Sequence, residues 1–256
     1  MLKFDGIFRD MDPTGGLVPL YIFLLCIVAS FIQTTTGFGF GVFIMTMLPF
    51  LMPSYGEATA LSGLLAITTV VIVVAKNYRL IIWKHLLPIL ITFILVSAFA
   101  VFILARTEET VLKRILGVVL ILTSLYFIFF SDRIHLRPTI PVQVGIGSVS
   151  GLMGGFFAMQ GPPAVLYFIS VEKDKDRYMA LASAYFLIGN TMMTFARAAN
   201  GFVTRTVATD YLYGLGGVVI GTLLGSMVFR YIPQKVLRYI VYSYIGISGI
   251  IVLVTA

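Results

Sequence analysis

The chain has 256 residues, of which 59% are hydrophobic and only 11% carry a charge. A soluble domain carries about 25% charged residues, so this composition excludes a soluble enzyme and predicts an all-α polytopic membrane protein. The net charge of +7 is spread over short basic clusters between apolar runs. Such clusters are typical of loops beside membrane spans, and they argue against a nucleic-acid partner.

Apolar runs with the length of one membrane-spanning helix, about 20 residues, occur at six places along the chain. They lie at 58–75, 86–105, 112–130, 178–196, 208–230 and 236–255. Two longer apolar regions, 17–52 and 142–170, each contain a glycine-rich stretch near the middle. We expect each of these regions to form a helical hairpin that is broken at its glycines.

The two halves of the chain resemble each other. Residues 61–77 match 184–200 at an offset of 123, and 111–113 match 236–238 at an offset of 125. The common order of the matches and their nearly constant offset predict two homologous halves. Each half would begin with a broken hairpin, followed by three spans.

The chain then divides into a first transmembrane repeat at 17–130, a linker at 131–141 and a second transmembrane repeat at 142–255. A hairpin at each glycine stretch divides the lysines and arginines 7 against 11 between the two sides of the membrane, whereas a single crossing divides them 9 against 9. An asymmetric division is expected of a membrane protein. Each half then has an odd number of crossings, which predicts inverted repeats with the linker in the cytoplasm and both termini outside.

The two glycine-rich stretches are candidates for a binding site. The first runs from Gln33 to Gly41, and the second runs from Gly151 to Pro163. Helix breaks at matching places in two repeats mark the substrate site of many transporters, because helix N-termini can aim backbone N–H groups at an anion. Helix packing alone is the alternative. Glycine at every fourth residue favours packing at Gly147, Gly151, Gly155, Gly217, Gly221 and Gly225.

Two further polar residues lie in one predicted span. Arg197, near the predicted end of that helix, would either extend to the membrane interface or line the path of an anion. Asn190 would either hydrogen-bond a neighbouring helix or contact substrate. The candidate substrate-binding residues are therefore Gln33, Thr34, Thr35, Thr36, Gly37, Gly39, Gly41, Gly155, Gln160, Gly161, Pro162, Asn190 and Arg197. The sequence contains no catalytic set, metal-ligand spacing or cofactor motif that we can assemble.

At its two glycine motifs the chain resembles the TauE/SafE sulfite exporter family, within the 4-toluene sulfonate uptake permease superfamily. The likeness rests on the run from Gln33 to Gly41 and on the run from Ser150 to Tyr167, in which Gly-Gly-Phe is followed by Gly-Pro-Pro. This resemblance implies a multi-pass protein of a bacterial inner membrane that moves sulfite, sulfonates or related anions.

We therefore expect a secondary transporter or facilitator for a small sulfur-containing anion, such as sulfite or an organosulfonate like sulfoacetate, with the two halves moving around a central site. An inside-negative potential expels anions without coupling, and the acids near the spans, Glu57 and Asp210, lie at predicted helix ends. Export is therefore favoured. The alternatives are an ion channel, because 35–39 looks like a potassium filter loop, and a membrane-bound enzyme or scaffold. The expected partners are the anion and the lipid bilayer, with a homodimer as one assembly to test and no cofactor.

Overall fold

The computed structural model describes residues 17–129, 136–228 and 234–255, and these ranges contain helices and no β-strand. The first half contains α1 Leu17–Thr36, α2 Phe40–Ile44, α3 Leu48–Leu51, α4 Tyr55–Asn77, α5 Trp83–Leu104 and α6 Glu109–Phe129. The second half contains α7 Ile140–Phe157, α8 Gly161–Val171, α9 Lys175–Ala199, α10 Arg205–Val228 and α11 Gln234–Thr255. The expected linker lies partly outside the described residues, and its last two residues already belong to α7.

Six of the described helices are long and apolar enough to cross a membrane: α1, α4, α5, α7, α9 and α10. Their outward faces carry large apolar side chains, such as Leu95 and Leu212, both 68% exposed. In water these side chains would be costly, whereas lipid covers them. The chain is therefore a multi-pass membrane protein. The six expected spans correspond to α4, α5, α6, α9, α10 and α11, of which α4, α5, α9 and α10 are among the helices long and apolar enough to cross a membrane. The expected ends at residues 130, 229 and 230 lie outside the described residues.

Both glycine-rich stretches interrupt a helix, and they do so in the same way. Three residues separate α1 from α2, and three separate α7 from α8. The first residue of each break has a left-handed backbone, with φ of 83° at Gly37 and 55° at Ala158. The Gly37 amide donates to the carbonyl of Gln33 at 2.8 Å, and the Ala158 amide donates to that of Gly154 at 2.9 Å. Each helix therefore ends in a left-handed C-terminal turn.

Two glycine stripes bring helices from different halves into close, parallel contact. On α10, a Cβ at Gly217 would lie 2.3 Å from the carbonyl oxygen of Phe23, and one at Gly221 would lie 2.1 Å from that of Ile27 on α1. The next glycine of each stripe always meets a residue further along the partner helix. On α7, the glycines at 147, 151 and 155 follow α5 in the same manner. The packing role predicted for these stripes is what the structure shows.

The remaining long helices pack in antiparallel pairs. Along α4, Gly56 meets Phe202 just beyond α9, whereas Gly63 meets Arg197 and Thr194 earlier in that helix. In the second pair, α6 and α11, a Cβ on Gly117 would lie 2.9 Å from the carbonyl oxygen of Gly249. The pair α4 and α9 lies at the centre of the molecule, and both helices contribute residues next to the two helix breaks.

Candidate functional site

The two helix breaks meet each other. A Cβ on Gly41 would lie 2.1 Å from the carbonyl oxygen of Ala158, and a Cβ on Gly161 would lie 3.9 Å from the Phe38 side chain. A cavity opens beside this crossing, between the breaks and the helices α4 and α9. It is lined by Gln33, Gly39, Phe40, Gly41, Val42, Ala66, Thr69, Val70, Ala158, Met159, Gln160, Gly161, Phe186 and Asn190.

The cavity lies at mid-height and is small. Ala66 and Thr69 are close to the midpoint of α4, and Phe186 and Asn190 are close to the midpoint of α9. The centre of a water molecule can move through about 30 Å³ of this space, which is room for about two waters. Only a ligand of a few non-hydrogen atoms therefore fits unless the helices move.

Three side-chain amides and the hydroxyl of Thr69 form the polar side-chain part of the wall. The Oε1 of Gln33 accepts the Phe40 amide at 3.0 Å and so ties α1 to the first turn of α2 across the break. The Nε2 of Gln160 donates to Oδ1 of Asn190 at 2.8 Å. Among the described residues, Nε2 of Gln33 and Nδ2 of Asn190 have no hydrogen-bond acceptor, and the buried Oε1 of Gln160 has no donor. The wall therefore keeps unused hydrogen-bonding groups for a ligand.

The backbone of the second break is held by a buried hydroxyl pair. Ser150 donates to the carbonyl of Gln160 at 2.6 Å, and its oxygen lies 2.7 Å from the hydroxyl of Tyr185. Both residues are completely buried. This pair fixes the carbonyl of Gln160 and leaves the side chain of Gln160 free to face Asn190.

The two breaks differ in how many backbone N–H groups they leave free to donate. A helix leaves the amides of its first turn without acceptors inside the helix. At α8 the second and third positions are Pro162 and Pro163, which have no N–H, so Gly161 is the main donor there. At α2 the amides of Gly41 and Val42 occupy the corresponding first-turn positions.

The structure brings six of the predicted residues together around the cavity: Gln33, Gly39, Gly41, Gln160, Gly161 and Asn190. The three threonines do not line it. The hydroxyls of Thr34 and Thr35 donate to carbonyls one turn earlier in α1, both at 2.8 Å. The hydroxyl of Thr36 lies 2.9 Å from the carbonyl oxygen of Ile32 and 2.6 Å from that of Phe38 in the break. The hydrogen bonds of these threonines are thus made inside their own helix or, for Thr36, with the break that follows it.

The other four predicted residues also lie outside the cavity. Gly37 faces the start of α9, where a Cβ would lie 3.3 Å from the sulfur of Met179. Gly155 packs on α5, with a Cβ position 2.5 Å from that of Ala100. Pro162 lines an apolar groove beside α6. Arg197 lies behind the second break.

Arg197 does not extend to the membrane interface, because it is 0% exposed. Its Nη2 donates to the carbonyl of Gly154 at 2.8 Å, in the last turn of α7. That turn contacts Gln160 directly, since a Cβ on Gly154 would lie 3.1 Å from the Cβ of Gln160. The guanidinium therefore places a positive charge at the negative end of α7, directly behind the second break.

Sequence reasoning missed Thr69 and Phe186 in the cavity wall, and Tyr185 behind it. Thr69 was detectable as one of two adjacent threonines in a largely apolar span. The two aromatic residues carried no signal, because tyrosine and phenylalanine occur throughout this apolar chain. Only the packing of α9 on the second break brings them to the site.

These features define a class: a polytopic α-helical membrane protein whose two interrupted helices meet at a small polar cavity halfway along its spans. The family model of the sulfite exporter TauE/SafE matches residues 22–252. The chain belongs to this family of membrane transporters, as its resemblance predicted.

One relative is the "Probable sulfite/organosulfonate exporter TauE" of Cupriavidus necator. It is 23% identical over 204 residues, which cover 77% of this chain and 78% of the relative. No solved structure matches the chain.

Proposed function

We propose that this protein is a secondary transporter that exports a small sulfur-containing oxyanion, with sulfite as the leading substrate, across a bacterial inner membrane. The observation that carries the proposal is the meeting of the two helix breaks around one cavity at mid-height. Transporters bind their substrates at such places, and the name of the Cupriavidus relative supplies the class of anion. The size of the cavity favours sulfite over a longer organosulfonate such as sulfoacetate.

The cavity would bind the anion with neutral donors. Nε2 of Gln33, Nδ2 of Asn190 and the first-turn amides at Gly41 and Gly161 are the groups available. Rotating the amides of Gln160 and Asn190 by half a turn would keep their hydrogen bond and turn Nε2 of Gln160 toward the anion. Neutral donors can release an anion readily, because no permanent charge pair has to be broken.

The proposal includes a duplicated architecture with inverted repeats. In support, α1 ends at Thr36 and α2 begins at Phe40, while α7 ends at Phe157 and α8 begins at Gly161, each 121 residues later. The packing also follows the repeat. The pair α1 and α10 corresponds to the pair α7 and α5, whereas α4 packs on its own counterpart α9, and α6 packs on its counterpart α11.

Helix direction supports the inversion. The starts of α4 and α6 lie together, since the Tyr55 amide donates to Oε1 of Glu109 at 3.1 Å. The start of α10 joins them, because Phe202 just before it packs on Gly56. With the parallel and antiparallel pairs above, α1, α4, α6 and α10 run one way, and their counterparts α7, α9, α11 and α5 run the other way.

The moving parts would not be the sequence halves themselves. The closest helix contacts in the described residues join α1 to α10 and α7 to α5, and each of these pairs contains one helix from each half. Separating the halves would break both glycine interfaces. We propose instead that such mixed pairs move as units around the central helices α4 and α9.

Export is the favoured direction because the membrane potential drives anions outward. Uptake would need a co-transported cation and a carboxylate to hold it. The structure places Asp210 in the second turn of α10, 7% exposed, with Glu57 near enough to act on it electrostatically. Asp210→Asn should leave potential-driven sulfite efflux unchanged under this proposal. Loss of flux together with loss of its pH dependence would instead assign cation-coupled uptake.

A homodimer is part of the proposal as well. It would bury the outward apolar face of α6, where Leu122 and Phe129 are each 60% exposed. Cross-linking through cysteines placed on this face in native membranes tests that assembly.

The decisive experiment is sulfite flux in liposomes that contain the purified protein. We expect saturable efflux of sulfite, competition by small oxyanions and no sustained cation current. A voltage-driven cation current would identify a channel, and chemical conversion of the anion would identify an enzyme. The absence of both flux and binding would favour the alternative that the protein is a membrane scaffold.

A further inference from the structure

A second polar cluster lies between α4 and α9, outside the cavity. Its centre is Arg197, whose Nη2 binds the carbonyl of Gly154. In the described structure, its Nε and Nη1 have no acceptor. No described carboxylate forms an ion pair with it either. A fully buried cation thus keeps three N–H bonds unused.

Buried hydroxyl groups without partners lie on the same two helices as these unused donors. A Cβ on Gly63 would lie 3.0 Å from Nη1 of Arg197 and 3.4 Å from Oγ1 of Thr194, so both groups meet over one point on α4. Tyr55, which is 0% exposed, is close enough to act electrostatically on the guanidinium. The hydroxyls of Tyr55, Thr194 and Ser62, which precedes Gly63, have no hydrogen-bond partner among the described residues.

A structural role for Arg197 leaves these groups unexplained. One N–H is enough to cap the carbonyl of Gly154 at the end of α7. Burying further donors without acceptors costs free energy, and burying a cation without a counter-charge costs more. The cluster offers a positive charge, N–H donors and hydroxyl donors, and no described carboxylate forms an ion pair with Arg197, although Glu57 and Glu109 lie near Tyr55 at the start of α4. The missing partner that this chemistry selects is a small oxyanion.

The cluster lies on the same helix faces as the cavity. Asn190, Thr194 and Arg197 follow one another at helical spacing along α9, while Tyr55, Ser62 and the cavity residue at position 66 do so along α4. From Asn190 to Arg197 the helix rises by about 10 Å. The cluster therefore stands between the cavity and the end of the molecule at which α4 begins and α9 ends.

We propose that this cluster is a second anion-binding site, a station on the path between the central cavity and that end of the molecule. The inference rests on the proposed transport function and assigns the same class of substrate, a small oxyanion. The planar fork of an arginine suits two oxygens of such an anion. Arg197 does not line the cavity in this conformation, so transfer between the two sites requires α4 and α9 to separate near Gly63.

The station is absent from the opposite side of the cavity. At the repeat offset of 123 residues, Arg197 corresponds to Val74 and Thr194 corresponds to Val71. At these two positions the anion would therefore meet a fixed charge and a hydroxyl group on one side of the cavity and apolar side chains on the other, whereas Tyr55 corresponds to another tyrosine, Tyr178.

The test counts anions bound per chain by calorimetry on the purified full-length protein, with sulfite and separately with sulfate as the probes. The wild type should bind two anions. Arg197→Gln should bind one. Tyr55→Phe should weaken the second site by about tenfold, the usual effect of losing one hydrogen bond to a charged group.

A matched control is Tyr167→Phe. Tyr167 is also 0% exposed, but its hydroxyl accepts a hydrogen bond from Nε2 of Gln143 at 2.6 Å. We expect this variant to bind two anions and to melt at a lower temperature than the wild type. Without anion, Tyr55→Phe should melt at the wild-type temperature or above, because it removes a hydroxyl that has no partner.

The outcomes that overturn the inference are distinct from failure of transport. Two anions bound equally well by the wild type, Arg197→Gln and Tyr55→Phe would show that the cluster holds only water. Binding of a single anion by the wild type would show that the cluster and the cavity do not form two separate sites. If Arg197→Gln does not fold, the affinity of Tyr55→Phe for the second anion still tests the site, because phenylalanine keeps the packing of the ring. Absence of sulfite flux in wild-type liposomes would contradict the proposed function instead.

Discussion

The carbonyl oxygen of Ala158 lies directly against the α-carbon of Gly41, with no room for a side chain between them. A Cβ on that glycine would be 2.1 Å from the oxygen. This contact joins the backbone of the second helix break to the first turn of α2. The distance between the two breaks, and therefore the shape of the cavity, depends on the absence of a side chain at position 41.

Gly41→Ala should abolish sulfite flux and lower the melting temperature, because the backbone carbonyl of Ala158 cannot move without moving the break. Forced overpacking of this kind costs about 1–3 kcal/mol or more. Gly161→Ala is the control, since the nearest atom to its Cβ would be 3.8 Å away. It should keep both flux and stability within about twofold and about 0.5 kcal/mol. Equal behaviour of the two variants in liposome flux and thermal unfolding would contradict the crossing of the breaks.

Gly221→Ala should destabilise the fold without a specific effect on substrate affinity. The added methyl group would lie 2.1 Å from the carbonyl oxygen of Ile27, so α1 and α10 must separate. We expect a loss of about 2 kcal/mol or more in unfolding free energy in detergent. Gly145→Ala, whose Cβ would meet nothing within 4 Å, should instead gain about 0.5–1 kcal/mol from helix propensity. A Gly221→Ala protein as stable as the wild type would disprove close contact of these helices.

Asn190→Asp should make sulfite flux depend on pH in a defined direction. Below the pKa of the introduced carboxyl group the side chain is neutral and flux should approach that of the wild type. Above it, a negative charge about 4 Å from the anion costs about 4 kcal/mol, so flux should fall at least tenfold as the pH rises. The ratio of variant to wild-type flux at each pH removes the titration of sulfite itself. A ratio that does not change with pH would place the anion away from Asn190.

Cysteine labelling can test the inverted topology in an otherwise native chain. Cys26, the single cysteine of the sequence, is 0% exposed, so it should not react with a membrane-impermeant maleimide. Cysteines placed at Lys173 and Thr139 should label from one side of the membrane, and those placed at Glu108 and Arg205 should label from the other. All four positions are exposed. Labelling of Thr139→Cys and Glu108→Cys from the same side would contradict the inversion.

Features with a one-dimensional pattern could be predicted from the sequence. Helix breaks follow from glycine and proline, spans follow from apolar length, and the stripe at Gly217, Gly221 and Gly225 follows from four-residue spacing. Gln160 and Asn190 were also predictable as candidates, because an amide deep in an apolar run needs a partner. Their hydrogen bond to each other joins two helices and could not be read from either one.

The rest depends on competition between partners that a sequence does not reveal. Thr34, Thr35 and Thr36 looked like ligands, but a threonine in a helix can bond the carbonyl one turn earlier. Thr34 and Thr35 do so, and Thr36 is shared between that carbonyl and the carbonyl of Phe38 in the break. Arg197 was compatible with the membrane interface and with the path of an anion. Its burial depends on Gly63, a residue 134 positions away that leaves space for the guanidinium. Tyr55 had no signal at all, because only that packing brings it to the arginine.

The exchange of helix partners between the halves bears on how such a chain could arise. Both glycine stripes lie in the second half and both of their partner helices lie in the first half, so a single half would insert with two unfilled interfaces. Two separate copies could fill them only by inserting in opposite orientations. The ancestor implied by the proposed duplication is therefore a dual-topology homodimer, encoded by one short gene and facing both ways in the membrane. Because α6 would end and α7 would begin on the same side, fusing the two copies needed only a short connecting segment and no additional span.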